Sequence, residues 1–415
     1  MRLARLSAIV LLLATAPALA ADPNPVDPPL YSAHVDSVTV NLWIPPGVKE
    51  LRGLVVKPAD ASVSAKETIW STPMRSWGFG EVGMMLDNVN KGGGRETHLA
   101  KTLVPVLTDL AAKTGHPELP NLPIVSLGMS KGGGWAAAMC RLNADRAIGY
   151  VSVCGWMGGD VSKADASYLK IPGLFAIGSV PDGFHMLESI DREYVPAMKL
   201  GDVDWTCALQ WGAGHAWLKP TSAYCITYLD QVIKLRLPDG ASALQGVPKL
   251  NDIAWDTGWA GDRSTWDSAC PVISSLKEFK GDRSNLVWQP NCYLAYVWRA
   301  FMTQKPEIVF NDLTPAAPLE VTAKNRQYLV ETGTVLPIST RPVADAKTVR
   351  FYDGDILLGE APAASPSLDY KVPAGNHAVI ALAEKNDGAL RSSNVLWVVG
   401  GDKRFIAPSN RAGGE

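Results

Sequence analysis

Gly128-Met129-Ser130-Lys131-Gly132 constrains this chain more than any other stretch. It follows an apolar run, Leu122 to Leu127, and precedes a segment, Gly133 to Leu142, whose pattern predicts a helix. A G-x-S-x-G sequence in strand-turn-helix context predicts a sharp turn with a serine at its apex. Such a turn forces the serine into a strained conformation and leaves no room for bulk two residues before or after it. It lifts the hydroxyl above the end of a sheet, beside the N-terminus of the next helix. Backbone N–H groups and the helix dipole there can stabilise a developing oxyanion.

The surrounding pattern supplies such a sheet. Strands are predicted at Ser37 to Trp43, Leu51 to Val56, Glu81 to Leu86, Ile124 to Leu127, Ile148 to Val153, Leu174 to Ile177 and Trp205 to Trp211. Helices are predicted at Ala65 to Trp77, Glu96 to Lys113, Gly133 to Leu142, Phe184 to Met198 and Ala216 to Leu235. Alternation of this kind predicts an α/β fold, a mostly parallel sheet flanked by helices on both faces. Residues 238–312, rich in Trp, Asp and Gly, contain Trp-Ala-Gly-Asp at 259–262 and a predicted helix, Tyr293 to Met302. They read as an appended part of the unit 21–312. From about Pro315 the pattern changes to about seven short strands, which suggest a small all-β sandwich over 316–402, immunoglobulin-like at most. Val349 to Tyr352 and Asp355 to Leu358 flank Asp353-Gly354, a hairpin signal of type I′.

A nucleophilic serine needs a base, and the base an orienting acid. On an open parallel sheet these groups sit on loops at the carboxyl ends of strands. His215 lies just after the strand ending at Trp211, in Gly212-Ala213-Gly214-His215-Ala216-Trp217. Asp182 lies just after the preceding strand, in Val180-Pro181-Asp182-Gly183. Ser130, Asp182 and His215 thus occur in the order Ser, Asp, His. Asp160, Asp202 and Asp204 also lie near strand ends and compete with Asp182. His185 is too close to Asp182 to fit the layout. His98 and His116 precede the serine, and His34 and His377 lie outside the central strand order. The expected oxyanion donors are the backbone N–H of Lys131 and one from the loop after Val56. Pro58 has no N–H, so Lys57 or Ala59 is the second candidate. Trp135, Trp156, Trp211 and Trp217 flank the site loops and could form an aromatic wall or simply pack in the core.

Other patterns are weaker. Gly78-x-Gly80-x-x-Gly83 leads into a strand instead of a helix, which argues against dinucleotide binding. Gly92-Gly93-Gly94 lacks the Lys-Ser/Thr of a phosphate loop, and His185-x-x-Glu188 has too few companions for a metal site. No cofactor and no metal are expected.

The chain has 415 residues and a formal net charge of −2. No basic stripe points to nucleic acid. Residues 1–20 read as a secretory signal peptide: Arg2 and Arg5, the apolar Ala8 to Ala14, then Ala18-Leu19-Ala20. The expected location is secreted or periplasmic, with no membrane span. Six cysteines suit an oxidising compartment, and sequential disulfides (140–154, 207–225, 270–292) are the expected pairing.

The Ser130 turn with its trailing glycines, Pro181-Asp182-Gly183 after one strand and Gly214-His215-Ala216-Trp217 after the next resemble the α/β-hydrolase superfamily over residues 35–235. Within it, the chain resembles secreted polyhydroxybutyrate-depolymerase-like and dienelactone-hydrolase-like serine esterases. The tail resembles bacterial immunoglobulin-like modules appended to secreted hydrolases. The resemblance implies a Ser130/Asp182/His215 triad and ester hydrolysis through an acyl-enzyme, without metal. The expected partner is a small-molecule or polymeric ester, a polyester or an acylated polysaccharide among them, and surface contact with such a polymer is expected of the C-terminal domain. A serine peptidase on the same fold and a non-catalytic surface-binding protein are the alternatives.

Overall fold

The computed structural model describes residues 30–64, 68–87, 94–156, 166–182, 187–313, 317–321 and 326–401. The expected signal peptide, Asp160, His185 and Gly92-Gly93 lie outside the described residues.

Eight strands build the main sheet: β1 Leu30–Val35, β2 Val38–Trp43, β3 Gly53–Pro58, β4 Phe79–Leu86, β5 Ile124–Met129, β6 Ala147–Val153, β7 Gly173–Gly178 and β8 Trp205–Gln210. Their order is β1-β2-β4-β3-β5-β6-β7-β8. β1, β2 and β4 pair antiparallel, and every pair from β4-β3 to β7-β8 is parallel. This is the strand order of the α/β-hydrolase fold. The crossovers carry α1 Thr68–Trp77, α2 Arg95–Thr114, α3 Lys131–Leu142, the short α4 Ala166–Leu169 and α5 Val195–Leu200, and α6 Lys219–Arg236 follows β8. β6, β7 and β8 are buried at every position, as strands covered on both faces must be. Period two divides β3 between two cores. Leu54 and Val56 pack with Leu99, Leu103, Val106 and Leu107 of α2, whereas Val55 joins the larger core on the other face.

Two predicted elements differ. β1 lies upstream of the predicted first strand and forms a hairpin with β2 through Asp36-Ser37, both at positive φ (48° and 63°). The turn uses Asp-Ser where Asn-Gly or Asp-Gly would have signalled it. The helix predicted over Phe184 to Met198 is, in its described part, helical from Glu188 to Leu200, with a π-helical turn Ile190–Tyr194 ahead of α5.

Beyond α6 the chain adds β9 Trp259–Asp262, β10 Ile273–Ser275 and β11 Leu286–Gln289, a three-stranded sheet of order β10-β9-β11, and α7 Cys292–Met302. This region shares the main core. Trp288 and Trp298 are fully buried in it. Thr206 Oγ1 donates to Trp288 O at 2.7 Å, and Trp298 Nε1 donates to Cys207 O at 2.8 Å.

The expected disulfides are not present: all six cysteines are free. Cys140, Cys154, Cys207 and Cys225 are buried and act as small apolar core residues. Burial pushes the Cys140 and Cys207 thiols up to about 12.

The C-terminal region is a small β domain. It comprises β12 Ala317–Val321, β13 Arg326–Glu331, β14 Val335–Ser339, β15 Ala346–Asp353, β16 Ile356–Pro362, β17 Ser367–Lys371, β18 Gly375–Lys385, β19 Leu390–Ser392 and β20 Leu396–Gly401. Its larger sheet runs β12-β13-β20-β18-β15-β16 with β19 on β18, and β14 pairs with β17. The predicted hairpin forms one residue later than expected. Asp353 pairs with Ile356, so Gly354-Asp355 is the turn, and only Gly354 (φ 59°) is at positive φ. A type I′ turn needs two such residues.

The β domain does not hang free. Ala378, Ile380, Val395 and Trp397 belong to the same buried cluster as the core of the main sheet. Asp353 anchors a polar contact at the seam: it accepts from Tyr293 Oη of α7 (2.8 Å) and Tyr370 Oη (3.0 Å) and meets His377 Nδ1 at 2.6 Å. Burial alone would raise its carboxyl. The His377 hydrogen bond and charge, with the two tyrosine bonds, hold it below the ordinary value instead.

Cutting the chain after residue 312 therefore exposes apolar surface on α1, α6 and α7. Each core side chain left without its partner costs about 1.5–3 kcal/mol. We expect the truncated protein to melt about 10 °C or more below the full chain, or to aggregate. An unchanged melting temperature by calorimetry would show that the β domain contributes nothing to the rest.

Candidate active site

Ser130 sits between the last residue of β5 and the first of α3, at φ 56° and ψ −123°. This is a conformation an L-residue adopts only when its surroundings dictate it. Here they do. Ser130 N–H donates to Val153 O at the end of β6 (2.8 Å), and Ser130 O accepts from Gly133 N (3.0 Å) and Gly134 N (3.3 Å). Glycines allow the close approaches. A Cβ at Gly128 would collide with the carbonyl of Gly132, and one at Gly133 would sit 2.5 Å from Ser152 Oγ. A Cβ at Gly155 would sit 2.5 Å from Ser130 O. Gly132 is less constrained, its nearest backbone neighbour being Pro58 O at 3.3 Å from a Cβ.

Ser130 opens onto a cavity of about 600 Å³. Its walls come from the end of β3 and the two residues after it (Lys57 to Asp60), from the start of α3, and from Trp70, Trp217, Lys219 and Ser222. Trp70 and Trp217 meet edge to face, centroids 6.2 Å apart at 89°. Of the four tryptophans singled out from the sequence, Trp217 alone lines this cavity. Trp135 packs under the Lys131 ammonium (4.9 Å), Trp211 Nε1 donates to Met302 O (2.8 Å), and Trp156 lies against Gly134, partly exposed. Trp70, Lys219 and Ser222 were not anticipated. They lie on α1 and α6, far from Ser130 in the chain, and only the folding of the sheet brings them together.

Lys131 is the first residue of α3, so its N–H belongs to the helix start facing the cavity. Lys57 is still in the β3 ladder, opposite Gly83. Its ammonium pairs with Asp60 (3.1 Å), lies 3.9 Å from Glu81, and donates to Ser64 Oγ (3.0 Å). Ala59 follows the strand at φ 72°, against the first turn of α3.

His215 and Asp182 come from neighbouring loops, after β8 and β7. The loops are tied together: Val180 N donates to Ala213 O (2.9 Å) and Gly212 N to Ser179 Oγ (2.8 Å). Asp182 lies against Gly214, its Oδ2 3.1 Å from where a Cβ there would stand. The Cys154 thiol, one residue past β6, reaches Gly214 O (3.7 Å) and Ala216 O (3.5 Å). Burial chiefly raises that thiol, and the Asp182 charge adds to the rise. Ser130 N–H bonds to β6, Cys154 follows β6, and the His215 loop rests on Cys154. The three loops therefore meet at the carboxyl edge of β5 to β8. His215 and Asp182 are not themselves among the residues lining the cavity.

The competing residues have other duties. Asp202 pairs with Arg283 (3.0 Å), and Asp204 lies at the amino end of β8, the opposite edge of the sheet. His34 contacts Asp87, His98 contacts Asp36 O, His116 contacts Glu118 and His377 contacts Asp353. The Gly78–Gly83 pattern is structural. Gly78 turns the chain into β4 at φ 71°, and a Cβ at Gly83 would meet the Ala61–Ser62 backbone at 2.6–2.7 Å.

No protein-family model matches the chain, and no curated protein matches it. Among solved structures, dienelactone hydrolase from Anabaena variabilis is 18% identical over 51% of this chain and 99% of its own, with a TM-score of 0.34. The Bacillus cereus carboxylesterase is 13% identical over 48% and 95%, with a TM-score of 0.36. Fibronectin(III)-like modules of CbhA from Clostridium thermocellum are 22% identical over 22% and 93%, with a TM-score of 0.19. Likenesses of this size assign no substrate.

Two outcomes follow from the geometry. Gly128→Ala places a methyl group against the Gly132 backbone, so it should cost about 3 kcal/mol or more in urea unfolding; a loss below 1 kcal/mol would mean the turn is not tight. Asp204 is a separate case. Burial pushes its carboxyl from an ordinary 3.8 up to about 7, although Lys170 (3.8 Å away) and Arg236 pull the other way. The fold favours the protonated form. Its contribution is complete below about pH 4 and is lost as pH rises through about 7. Asp204→Asn should therefore melt above the parent at pH 8, with the gap closing towards pH 4. A gap independent of pH would refute the assignment.

Proposed function

We propose that this protein is an exported serine hydrolase that cleaves carboxylic esters through an acyl-enzyme. The observation that carries the reading is Ser130: a strained, glycine-framed serine at a strand-to-helix turn, opening onto a cavity at the carboxyl edge of a mostly parallel sheet. In this reading Ser130 Oγ attacks the ester carbonyl. His215 takes the hydroxyl proton and returns it to the leaving alcohol. Asp182 orients the imidazole and balances its charge. The tetrahedral oxyanion is held by the N–H of Lys131 and by that of Ala59. Ala59 is preferred to Lys57 because the latter lies within the β3 ladder. Water, activated by the same base, then releases the acid and regenerates the serine.

The cavity supports an ester of moderate size, and its Trp70–Trp217 wall favours an apolar or aromatic acyl or alcohol group. Polyester and acylated or feruloylated polysaccharide are the substrate classes we propose. We read the β domain as an immunoglobulin-like module, its two sheets enclosing a core of Tyr328, Leu336, Phe351, Tyr370 and Leu396. We further propose the 1–20 segment as the export signal.

A panel of aryl esters of graded acyl length, with polyester film and feruloylated xylan, tests the reading. Ser130→Ala should lower kcat/KM at least about a thousandfold and abolish labelling by a fluorophosphonate probe. Full activity in Ser130→Ala sinks the mechanism. Turnover of aminoacyl anilides without turnover of esters would replace it with a peptidase.

A further inference from the structure

Gln210 is the last residue of β8 and only 2% exposed. A buried amide in a strand of apolar neighbours costs free energy unless its hydrogen bonds are made. Here all four are. Gln210 Nε2 donates to Ala216 O (2.8 Å) and approaches Cys154 Sγ (3.4 Å). Gln210 Oε1 accepts from Leu218 N (3.1 Å) and from Thr221 Oγ1 (2.7 Å). The orientation of the amide is unambiguous, because Ala216 O can only accept and Leu218 N can only donate. One side chain thus binds the residue after His215, the residue before α6, the first turn of α6 and the thiol beyond β6. The near side of the same loop is tied down by Ala213 N to Gln210 O (3.2 Å) and by the bonds to Ser179 and Val180.

We infer that Gln210 is a positioning residue of this site, acting beside Asp182: its amide fixes the backbone of the loop that aims His215. The inference rests on the reading of His215 as base. It deepens that reading, because the Gly212-Ala213-Gly214 stretch before His215 has little rotational restraint of its own. The loop's geometry must come from what holds it, and a displacement of about 1 Å at a catalytic group can cost about a hundredfold in rate. Cys154 cooperates as a passive partner. It sits under the loop as a thiol, contacting Gly214 O, Ala216 O and Gln210 at once.

The test uses the full chain. Gln210→Met keeps the size of the side chain and removes all four bonds. Its kcat should fall at least about tenfold with KM within about threefold, and the second-order rate of fluorophosphonate labelling at Ser130 should fall in parallel. Thr221→Val removes one bond only and should lose about threefold in kcat, which Thr221→Ser restores. If Gln210→Met melts lower yet keeps the parent's kcat and labelling rate, Gln210 is structural only and the inference fails. If Gln210→Met does not fold, the Thr221 pair decides: equal kcat in Val and Ser variants overturns it. A separate control, His215→Ala with undiminished turnover, would defeat the base assignment itself, whatever the Gln210 variants do.

Discussion

The site depends on one strained residue. Ser130 is held at positive φ by bonds on both sides, its N–H tied to β6 and its carbonyl spent on the first turn of α3. A conformation that costs about 1–3 kcal/mol persists only when such neighbours over-determine it. That demand propagates. β5 and β6 must be adjacent and parallel, the first turn of α3 must start without a Cβ at Gly133, and the chain after β6 must pass Ser130 O with a glycine at 155. The strand order at the centre of the sheet is thus coupled to the geometry of a single serine.

The centre of the fold was legible in the sequence, and its edges were not. β5, β6, β7 and β8 are short, mainly apolar runs, each followed by a segment holding glycine or proline. Runs of that kind are too short for a core helix and too apolar for a loop, which leaves a strand covered on both faces. Ser130 was legible for the same reason: strand, turn and helix signals coincide there. β1 escaped because Asp36-Ser37 reaches positive φ without glycine or asparagine. The cysteines misled because an export-like leader suggested oxidation, while four of them are buried, in α3, just past β6, in β8 and in α6. Trp70, Lys219 and Ser222 were invisible in principle. No spacing along the chain encodes which residues of α1 and α6 face a turn more than fifty residues from either.

Gln210 marks a signal that was present and unused. Six consecutive buried residues end in a glutamine, and a buried glutamine must be bonded to something. At the carboxyl end of a strand that something is the next loop. The loop here carries the histidine, and its glycines leave it dependent on outside anchors. Polar residues at the ends of central strands are thus informative about loop geometry even where the loop itself shows no motif.

The β domain completes this chain of support. Its Trp397 and the apolar residues of β18 pack into the core shared with α6, and Asp353 ties its turn to Tyr293 of α7. α6 in turn presents Lys219 and Ser222 to the cavity and Thr221 to Gln210. A domain joined only by a linker could be lost without consequence for a distant loop. This one is packed on the helix whose first turn donates, through Thr221, to the Gln210 amide oxygen. Anything that moves the β domain would therefore act on a body continuous with the Ser130 cavity, and the orientation of the one relative to the other is set by packing instead of by tether length.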